Sequence, residues 1–377
     1  MRILLAGGGT AGHINPALAI AGYACERDKN TDILYVGAKG GMEEKLVKKA
    51  GYNIKTIEIS GFQRKINMQA IKRNLKTIKN LASSVRDSKR IIKEFKPDIC
   101  IGTGGYVSGP VIKAAQKLKV PTLIHEQNAF PGVTNKMLAK NADVVMLAIE
   151  DAKKHFNSDS NFEVTGNPVR GAILKADKQE ARKKLKLDNR LVILSFGGSL
   201  GARVINESVL ELTKWNCKTD KYQQIHGYGR YGKFFLDELK NENIDLSEHK
   251  NLRIVEYIDN MPDCLAAADL VICRAGAITI SELQAMGKPS ILIPSPNVAE
   301  NHQFHNAMAL VNRSAAKILE EKYLTGEKLI KMTESFLNNP RELEEYGNNA
   351  SKMAIKDSNE RIYRIIKRTI SDSKYRS

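Results

Sequence analysis

Nowhere in this chain do two cysteines form a Cys-x-x-Cys pair, and the five present (Cys25, Cys100, Cys217, Cys264, Cys273) are odd in number and scattered. That excludes a disulfide framework and fits reduced, buried thiols in a cytosolic protein. No apolar run reaches the roughly 18 residues a bilayer-spanning helix needs. The first apolar run starts at position 2, so no leader segment is expected. No His-Glu-x-x-His stretch occurs and no Asp-x-Asp follows an apolar run, so metal chemistry has no ligand spacing to build on. His125-Glu126 and the His302/His305 pair read as hydrogen-bonding groups instead. The Gly-x-x-x-x-Gly-Lys-Ser/Thr phosphate loop is also absent, which argues against a nucleoside triphosphatase.

What is present is one device used twice. Residues 2–6 form an apolar run entering Gly7-Gly8-Gly9-Thr10-Ala11-Gly12-His13, and residues 191–196 enter Gly197-Gly198-Ser199-Leu200-Gly201-Ala202 in the same way. A glycine turn between a parallel strand and a helix brings backbone N–H groups and the positive end of the helix dipole toward an anion. A chain of 377 residues is long enough for two domains, and 42% hydrophobic residues suffice for two cores. The repeated device therefore predicts two Rossmann-like domains serving a phosphorylated ligand.

The periodicity agrees. Strands are expected at 3–6, 33–36, 54–59, 98–101, 122–125, 144–147 and 162–165, then at 191–196, 223–226, 252–256, 270–273, 290–293 and 316–319. Helical spacing is clearest at 16–27, 42–50, 111–118, 202–212, 278–286, 303–311, 326–338, 341–355 and 358–371. Alternating strands and helices mean a doubly wound parallel sheet in each half.

The ligand needs separate argument. Gly7-x-Gly9-x-x-Gly12 matches the dinucleotide fingerprint, yet Tyr35-Val36-Gly37-Ala38-Lys39 closes the second strand without the acid that would grip a ribose. Gly197-x-Ser199-x-Gly201 spells an esterase elbow, but the two-domain plan does not suit that hydrolase. Other loops end strands on the same sheet edge: 102–110, 125–128, 166–170 and 274–282. Their polar side chains, including His13, His125, Glu126, Asn128, Arg170, Ser199 and Glu282, suit diphosphate and sugar hydroxyls.

Charge is lopsided. The net +17 includes a segment from Ser60 to Lys96 with eleven basic residues, opposed only by Asp87 and Glu94. Its apolar residues keep helical spacing, so it is a basic amphipathic helix suited to an anionic membrane, to nucleic acid, or to an ordinary surface position. Stacking aromatics are nearly missing there, which disfavours nucleic acid.

Seven motifs, in one order across nearly the whole chain, carry a resemblance: Gly8-Gly9-Thr10-Ala11-Gly12-His13, Gly104-Gly105-Tyr106-Val107-Ser108-Gly109-Pro110, His125-Glu126-Gln127-Asn128, Gly166-Asn167-Pro168-Val169-Arg170, the 197–202 loop, the 273–282 run and Asn301-His302-Gln303. Together they resemble the bacterial family that moves N-acetylglucosamine from UDP-N-acetylglucosamine (UDP-GlcNAc) to the 4-hydroxyl of the lipid-linked muramyl peptide lipid I, giving lipid II for peptidoglycan. The resemblance implies an α/β fold of GT-B type, with two Rossmann-like doubly wound parallel-sheet domains and an interdomain cleft. It implies an acceptor- and membrane-binding domain over 1–165, a UDP-sugar domain over 166–355, and a helix over 356–377 free to pack back on the first domain.

By the same analogy Ile258 would meet the uracil through its backbone, and Glu282 would take the ribose hydroxyls. Ser199, Arg170 and the turn Ala277-Ile278-Thr279 would hold the diphosphate. Gln303 and Asn128 would orient the sugar, with Thr10, Ala11 and Gly12 completing the site and Gly104, Gly105 and Tyr106 serving the acceptor. His13 is the first candidate for the base that accepts the hydroxyl proton and Glu126 the second; a structural role for His13 stays open. Backbone amides and a helix end would stabilise the leaving UDP, so no metal or other cofactor is expected.

The expected partners are UDP-GlcNAc, a polyprenyl-diphosphate-linked muramyl-peptide acceptor, other cell-wall synthesis proteins and an anionic membrane surface, but not nucleic acid. Lys72, Arg73, Lys76 and Lys79 would dock the protein peripherally on the cytoplasmic face of the cell membrane. A role in cell-wall biogenesis, cell shape and division would follow. Another GT-B enzyme using UDP-GlcNAc (a glycolipid synthase or epimerase) and a non-catalytic binder are the alternatives. Three positions depart from the family pattern: Ala11 for a glycine, Leu200 for a glutamine and His302 for a glutamine. Ala11 requires negative φ at that position.

Overall fold

The computed structural model describes residues 1–59, 68–157 and 159–374, with the side chains of 68–81 outside that description. The expected membrane contacts Lys72, Arg73, Lys76 and Lys79 thus lie outside the described side chains. The chain divides into two compact units, Met1–Pro168 with Asp357–Ser377, and Val169–Lys356. Each is described by itself.

The first unit begins β1 (Arg2–Ala6), α1 (Ala11–Arg27), β2 (Asp32–Ala38), α2 (Met42–Lys49) and β3 (Asn53–Ile57). It continues α3 (Met68–Phe95), β4 (Ile99–Gly102), α4 (Gly105–Lys117) and β5 (Thr122–Glu126), then α5 (Val133–Ala139), β6 (Val144–Leu147) and β7 (Phe162–Val164). Its seven strands are all parallel, in the order β3-β2-β1-β4-β5-β6-β7. Because helices cover both faces, β1 is apolar at every position after Arg2, and Ile3, Leu4, Leu5 and Ala6 are all fully buried. Successive side chains go to opposite faces. Ile3 and Leu5 join Ile14, Ala17 and Tyr35 in one core; Leu4 and Ala6 join Val107, Val111 and Ile112 in the other.

The second unit runs α6 (Gly171–Lys175), α7 (Lys178–Lys184), β8 (Val192–Phe196), α8 (Arg203–Thr219), β9 (Gln223–Gly227), α9 (Phe234–Asn241), β10 (Leu252–Val255) and α10 (Met261–Ala267). Then come β11 (Leu270–Cys273), α11 (Ala277–Ala285), β12 (Ser290–Leu292), α12 (His302–Val311), β13 (Lys317–Ile318), α13 (Gly326–Leu337) and α14 (Pro340–Lys352). Six parallel strands lie in the order β10-β9-β8-β11-β12-β13. Ile193, Ile272 and Ile291 of the sheet pack with Val209 of α8 and Phe336 of α13.

The last helix, α15 (Ser358–Lys374), belongs to the first unit. Ile362, Ile365 and Ile366 enter the core that α1 covers, and Glu360 accepts from Tyr23 Oη at 2.6 Å and Arg27 Nη2 at 2.9 Å.

All thirteen expected strands are present, most shifted at an end by a residue or two. Two helices start earlier than expected, α1 at Ala11 rather than 16 and α4 at Gly105 rather than 111. Pro16 and Pro110 suggested helix starts because proline favours a first turn. Here both lie inside the helix, and the glycine stretches before them are already helical. Short helices α5, α6, α7, α9 and α10 were not anticipated, since under three turns leave little periodicity to read.

Candidate active site

In an open parallel sheet, ligands gather where the strand order reverses direction. That point lies between β1 and β4 in the first unit and between β8 and β11 in the second. Four of the loops singled out in the sequence follow those four strands, and the loops at 125–128 and 166–170 follow β5 and β7.

After β1 the chain turns at Gly9, whose φ of +83° favours glycine, and α1 begins at Ala11. Ala11 is helical and absent from the positive-φ residues, as its side chain requires. The first turn of α1 has no acidic residue and no side-chain cap, and Thr10, Ala11 and Gly12 are exposed. This is a helix end whose donors are left for an anion. The β4 loop abuts it: a Cβ at Gly105 would stand 2.2 Å from the Gly8 carbonyl oxygen, and the Tyr106 ring covers Gly9. Gly104, Gly105 and Tyr106 thus form the start of α4 beside the first glycine turn.

Beneath that turn sits a residue the sequence reading missed. Glu43 is fully buried and accepts from Ala38 N at 2.8 Å and Gly9 N at 3.5 Å. It does for the loop what the missing strand-end acid does in dinucleotide folds, but on backbone rather than ribose. A lone Glu in the first turn of α2 gives no sequence signal for this.

His13 is half-buried on α1. Its Nδ1 lies 3.1 Å from the Thr103 carbonyl oxygen and 3.1 Å from Gln127 Oε1. Gln127 Nε2 reaches His125 Nδ1 at 3.0 Å and the His125 carbonyl at 2.9 Å, and His125 Nε2 lies 3.0 Å from the Gly166 carbonyl. Burial holds the His125 ring below the ordinary imidazole range. Thr103 Oγ1 also donates to the His13 carbonyl at 2.7 Å, tying α1 to the end of β4.

Glu126 is differently employed. Its Oε1 accepts from Asn128 N at 3.0 Å and Asn128 Nδ2 at 3.1 Å, and its Oε2 from Gly132 N at 3.1 Å and Asn135 Nδ2 at 2.8 Å. With four donors on a buried carboxylate, the geometry favours a loop-ordering task over proton transfer, and it fixes Asn128 in place.

In the second unit the turn after β8 places Gly198 (φ +98°) and Gly201 (φ +82°) around exposed Ser199 and Leu200. Helix α8 then starts without an acid in its first turn or a side-chain cap, and so does α11, whose opening residues are Ala277, Ile278 and Thr279. Among the described residues no histidine bonds Ser199, so the esterase elbow lacks its base. Below the turn lies another pair the sequence did not reveal: Ser195 Oγ and His226 Nδ1, 2.9 Å apart and wholly buried, with burial pushing His226 down to about 3.

Two expected ligand residues meet each other. Glu282, mostly buried on α11, accepts from Arg170 Nε at 3.0 Å and Nη2 at 2.8 Å. Burial raises the Glu282 carboxyl, and the Arg170 charge opposes that rise. Arg170 is half-exposed, whereas Glu282 is buried. Gln303 Oε1 accepts from Ser295 N at 2.9 Å, leaving its amide nitrogen for a sugar oxygen. Ile258 follows β10, and its buried side chain packs where a Gly227 Cβ would stand.

The comparisons agree with this geometry. The family model for the glycosyltransferase family 28 N-terminal domain matches residues 3–147, and that for the family 28 C-terminal domain matches 192–362. A protein of Thermoanaerobacter sp. (strain X514), named UDP-N-acetylglucosamine–N-acetylmuramyl-(pentapeptide) pyrophosphoryl-undecaprenol N-acetylglucosamine transferase, is 45% identical over 97% of this chain and 99% of its own length. A protein of the same name from Acetivibrio thermocellus is 44% identical over 97% and 98%. The crystal structure of Acinetobacter baumannii MurG superposes with a TM-score of 0.76 at 28% identity, covering 97% of this chain and 99% of that one. A UDP-GlcNAc 2-epimerase from Neisseria meningitidis, at 17% identity and a TM-score of 0.64, shares the fold. Two parallel-sheet α/β units with anion-ready turns at their switch points, matched over both halves by these models and relatives, place the chain in glycosyltransferase family 28, with a GT-B fold.

Proposed function

We propose that this protein transfers N-acetylglucosamine from UDP-GlcNAc to the 4-hydroxyl of the muramyl sugar of lipid I, inverting the anomeric carbon and giving lipid II. The observation that carries this reading is full-length similarity, above 40% identity, to relatives named for that reaction. The chemistry of the loops supports it.

In this scheme the second unit holds the donor. Glu282 accepts from the ribose hydroxyls, the backbone of Ile258 meets the uracil, and Gln303 orients the sugar. Ser199, Arg170 and the amides of Ala277, Ile278 and Thr279 face the diphosphate, and Arg170 leaves Glu282 to do so. As the acceptor oxygen bonds to the anomeric carbon, the bond from that carbon to phosphate breaks and its electron pair leaves on UDP. The helix ends of α8 and α11 and the Arg170 charge stabilise that negative charge where it forms, so the scheme needs no metal and predicts activity in the presence of chelator. The hydroxyl proton passes to His13 Nε2. Thr10, Ala11 and Gly12 present the free end of α1 to a phosphate, and Gly104, Gly105 and Tyr106 line the acceptor side of the first unit.

Release of UDP separates the alternatives. Transfer requires release that depends on a lipid-diphosphate muramyl acceptor. Release without acceptor would mean an epimerase or hydrolase, and none would mean a binder. The acceptor lives in a membrane, so the reading includes peripheral docking on the cytoplasmic leaflet through the basic segment of α3, alongside other cell-wall synthesis proteins. A part in cell shape and division follows from the product.

A further inference from the structure

We propose that Gln127 and His125 are positioning residues that lock His13 as the Nδ1–H tautomer, so that the Nε2 lone pair is the one offered to the acceptor hydroxyl. The inference deepens the reading of His13 as the base and rests on it.

Three carbonyl oxygens decide the matter, because a carbonyl can only accept. The Gly166 carbonyl, 3.0 Å from His125 Nε2, requires a proton on that nitrogen. Neutral His125 then has a bare Nδ1, which must accept. Its partner at 3.0 Å is Gln127 Nε2, and the same nitrogen sits 2.9 Å from the His125 carbonyl. Both hydrogens of the Gln127 amide are thereby used, and its orientation is fixed with Oε1 toward His13. The third carbonyl, Thr103, lies 3.1 Å from His13 Nδ1, as does Gln127 Oε1. Two acceptors on one nitrogen require Nδ1–H, and Nε2 is left deprotonated. Among the described residues nothing bonds Nε2.

The relay works only while His125 is neutral. Its complete burial favours that form. The neighbouring Glu126 charge opposes this by favouring the charged ring, but burial outweighs it, and the Glu126 carboxylate is itself taken up by Asn128, Gly132 and Asn135; Glu43 lies beneath Gly8 and Gly9, and Tyr106 over Gly9. When Nε2 takes the acceptor proton, the new charge on the ring is met at once by Gln127 Oε1 and the Thr103 carbonyl, with no rearrangement.

The test combines spectroscopy with kinetics. Long-range 15N–13C spectra of the histidine-labelled full chain should report His13 as Nδ1–H and His125 as Nε2–H; the reverse tautomer at either ring overturns the proposal. Gln127→Leu should lower kcat about tenfold or more with the KM for UDP-GlcNAc little changed. Gln127→Glu should move the acid limb of kcat/KM up by about one pH unit, because a carboxylate beside the ring favours its charged form. An acid limb unmoved in Gln127→Glu would sink the relay even if His13→Ala is inactive. A His13→Ala enzyme with near-normal kcat would sink the base assignment instead, while the tautomer spectra still stand as their own result.

Discussion

Removing the His13 imidazole takes away the one described side chain that offers a bare nitrogen beside the first glycine turn. His13→Ala should lower kcat by about 10²-fold or more while the donor KM stays within a few fold, read from steady-state UDP release. His226 bears on stability through its burial instead. Its folded pKa is depressed to about 3 by burial, so between about pH 6.5 and 3 the unfolded chain binds a proton that the native chain does not. Stability therefore falls as pH drops through that window, by up to about 1.4 kcal/mol per pH unit from this one group. Urea melts at pH 7 and pH 5 should show a smaller difference for His226→Gln than for the parent chain. At this scale the sequence was only partly legible. His13, Asn128 and Glu282 stood out because they lie within recognisable motifs that follow strand ends. Glu43, Thr103 and the Ser195–His226 pair did not, because their partners are backbone groups or residues about 30 to 90 positions away, and no local pattern encodes that. Glu126 looked like acid–base equipment from its neighbours in the chain; its four donors include Gly132 and Asn135, which only the fold brings to it.

Whole elements obey the period of their apolar residues, so the strands of both sheets were readable almost end to end. Continuous runs such as Ile3–Ala6 are what a strand covered on both faces must look like. Helix starts were less readable where glycine and proline cluster, as at α1 and α4, because propensity argues against a helix that tertiary contact nevertheless stabilises. The basic α3 carries the docking hypothesis. Reversing Lys72, Arg73, Lys76 and Lys79 to Glu should abolish co-sedimentation with anionic vesicles and leave solution turnover of a short-chain acceptor intact, since each cation near such a surface contributes about 1 kcal/mol. Unchanged vesicle binding would refute docking through this helix. For α15, Ile366→Ala leaves a hole in the core shared with α1 and should cost about 2–4 kcal/mol in chemical denaturation. An effect under 0.5 kcal/mol would mean that the helix rests on the unit without supporting it.

Taken as a whole, the chain is two nucleotide-fold units with separate hydrophobic cores, and a ligand gripped by one should stabilise that one. UDP at about 100 times its Kd should add roughly 2.7 kcal/mol to the second unit and raise its melting transition. Glu282→Ala should lose most of that shift; a rise of equal size in the variant would contradict the ribose assignment. The two-unit plan was legible because the strand–glycine–helix device repeats. The destination of α15 was legible only through the family resemblance, since an isoleucine stripe says that a helix must be covered and not by what. That destination bears on how the protein is made. The second unit is a single stretch, Val169–Lys356, and all its strands are synthesised before α15. The first unit, although translated earlier, waits for the residues after 357 to cover the face of its sheet beside α1. Until they arrive, nascent chains expose an unfinished apolar surface, so the order of synthesis and the order of completion run opposite, and chaperones should engage the older half for longer.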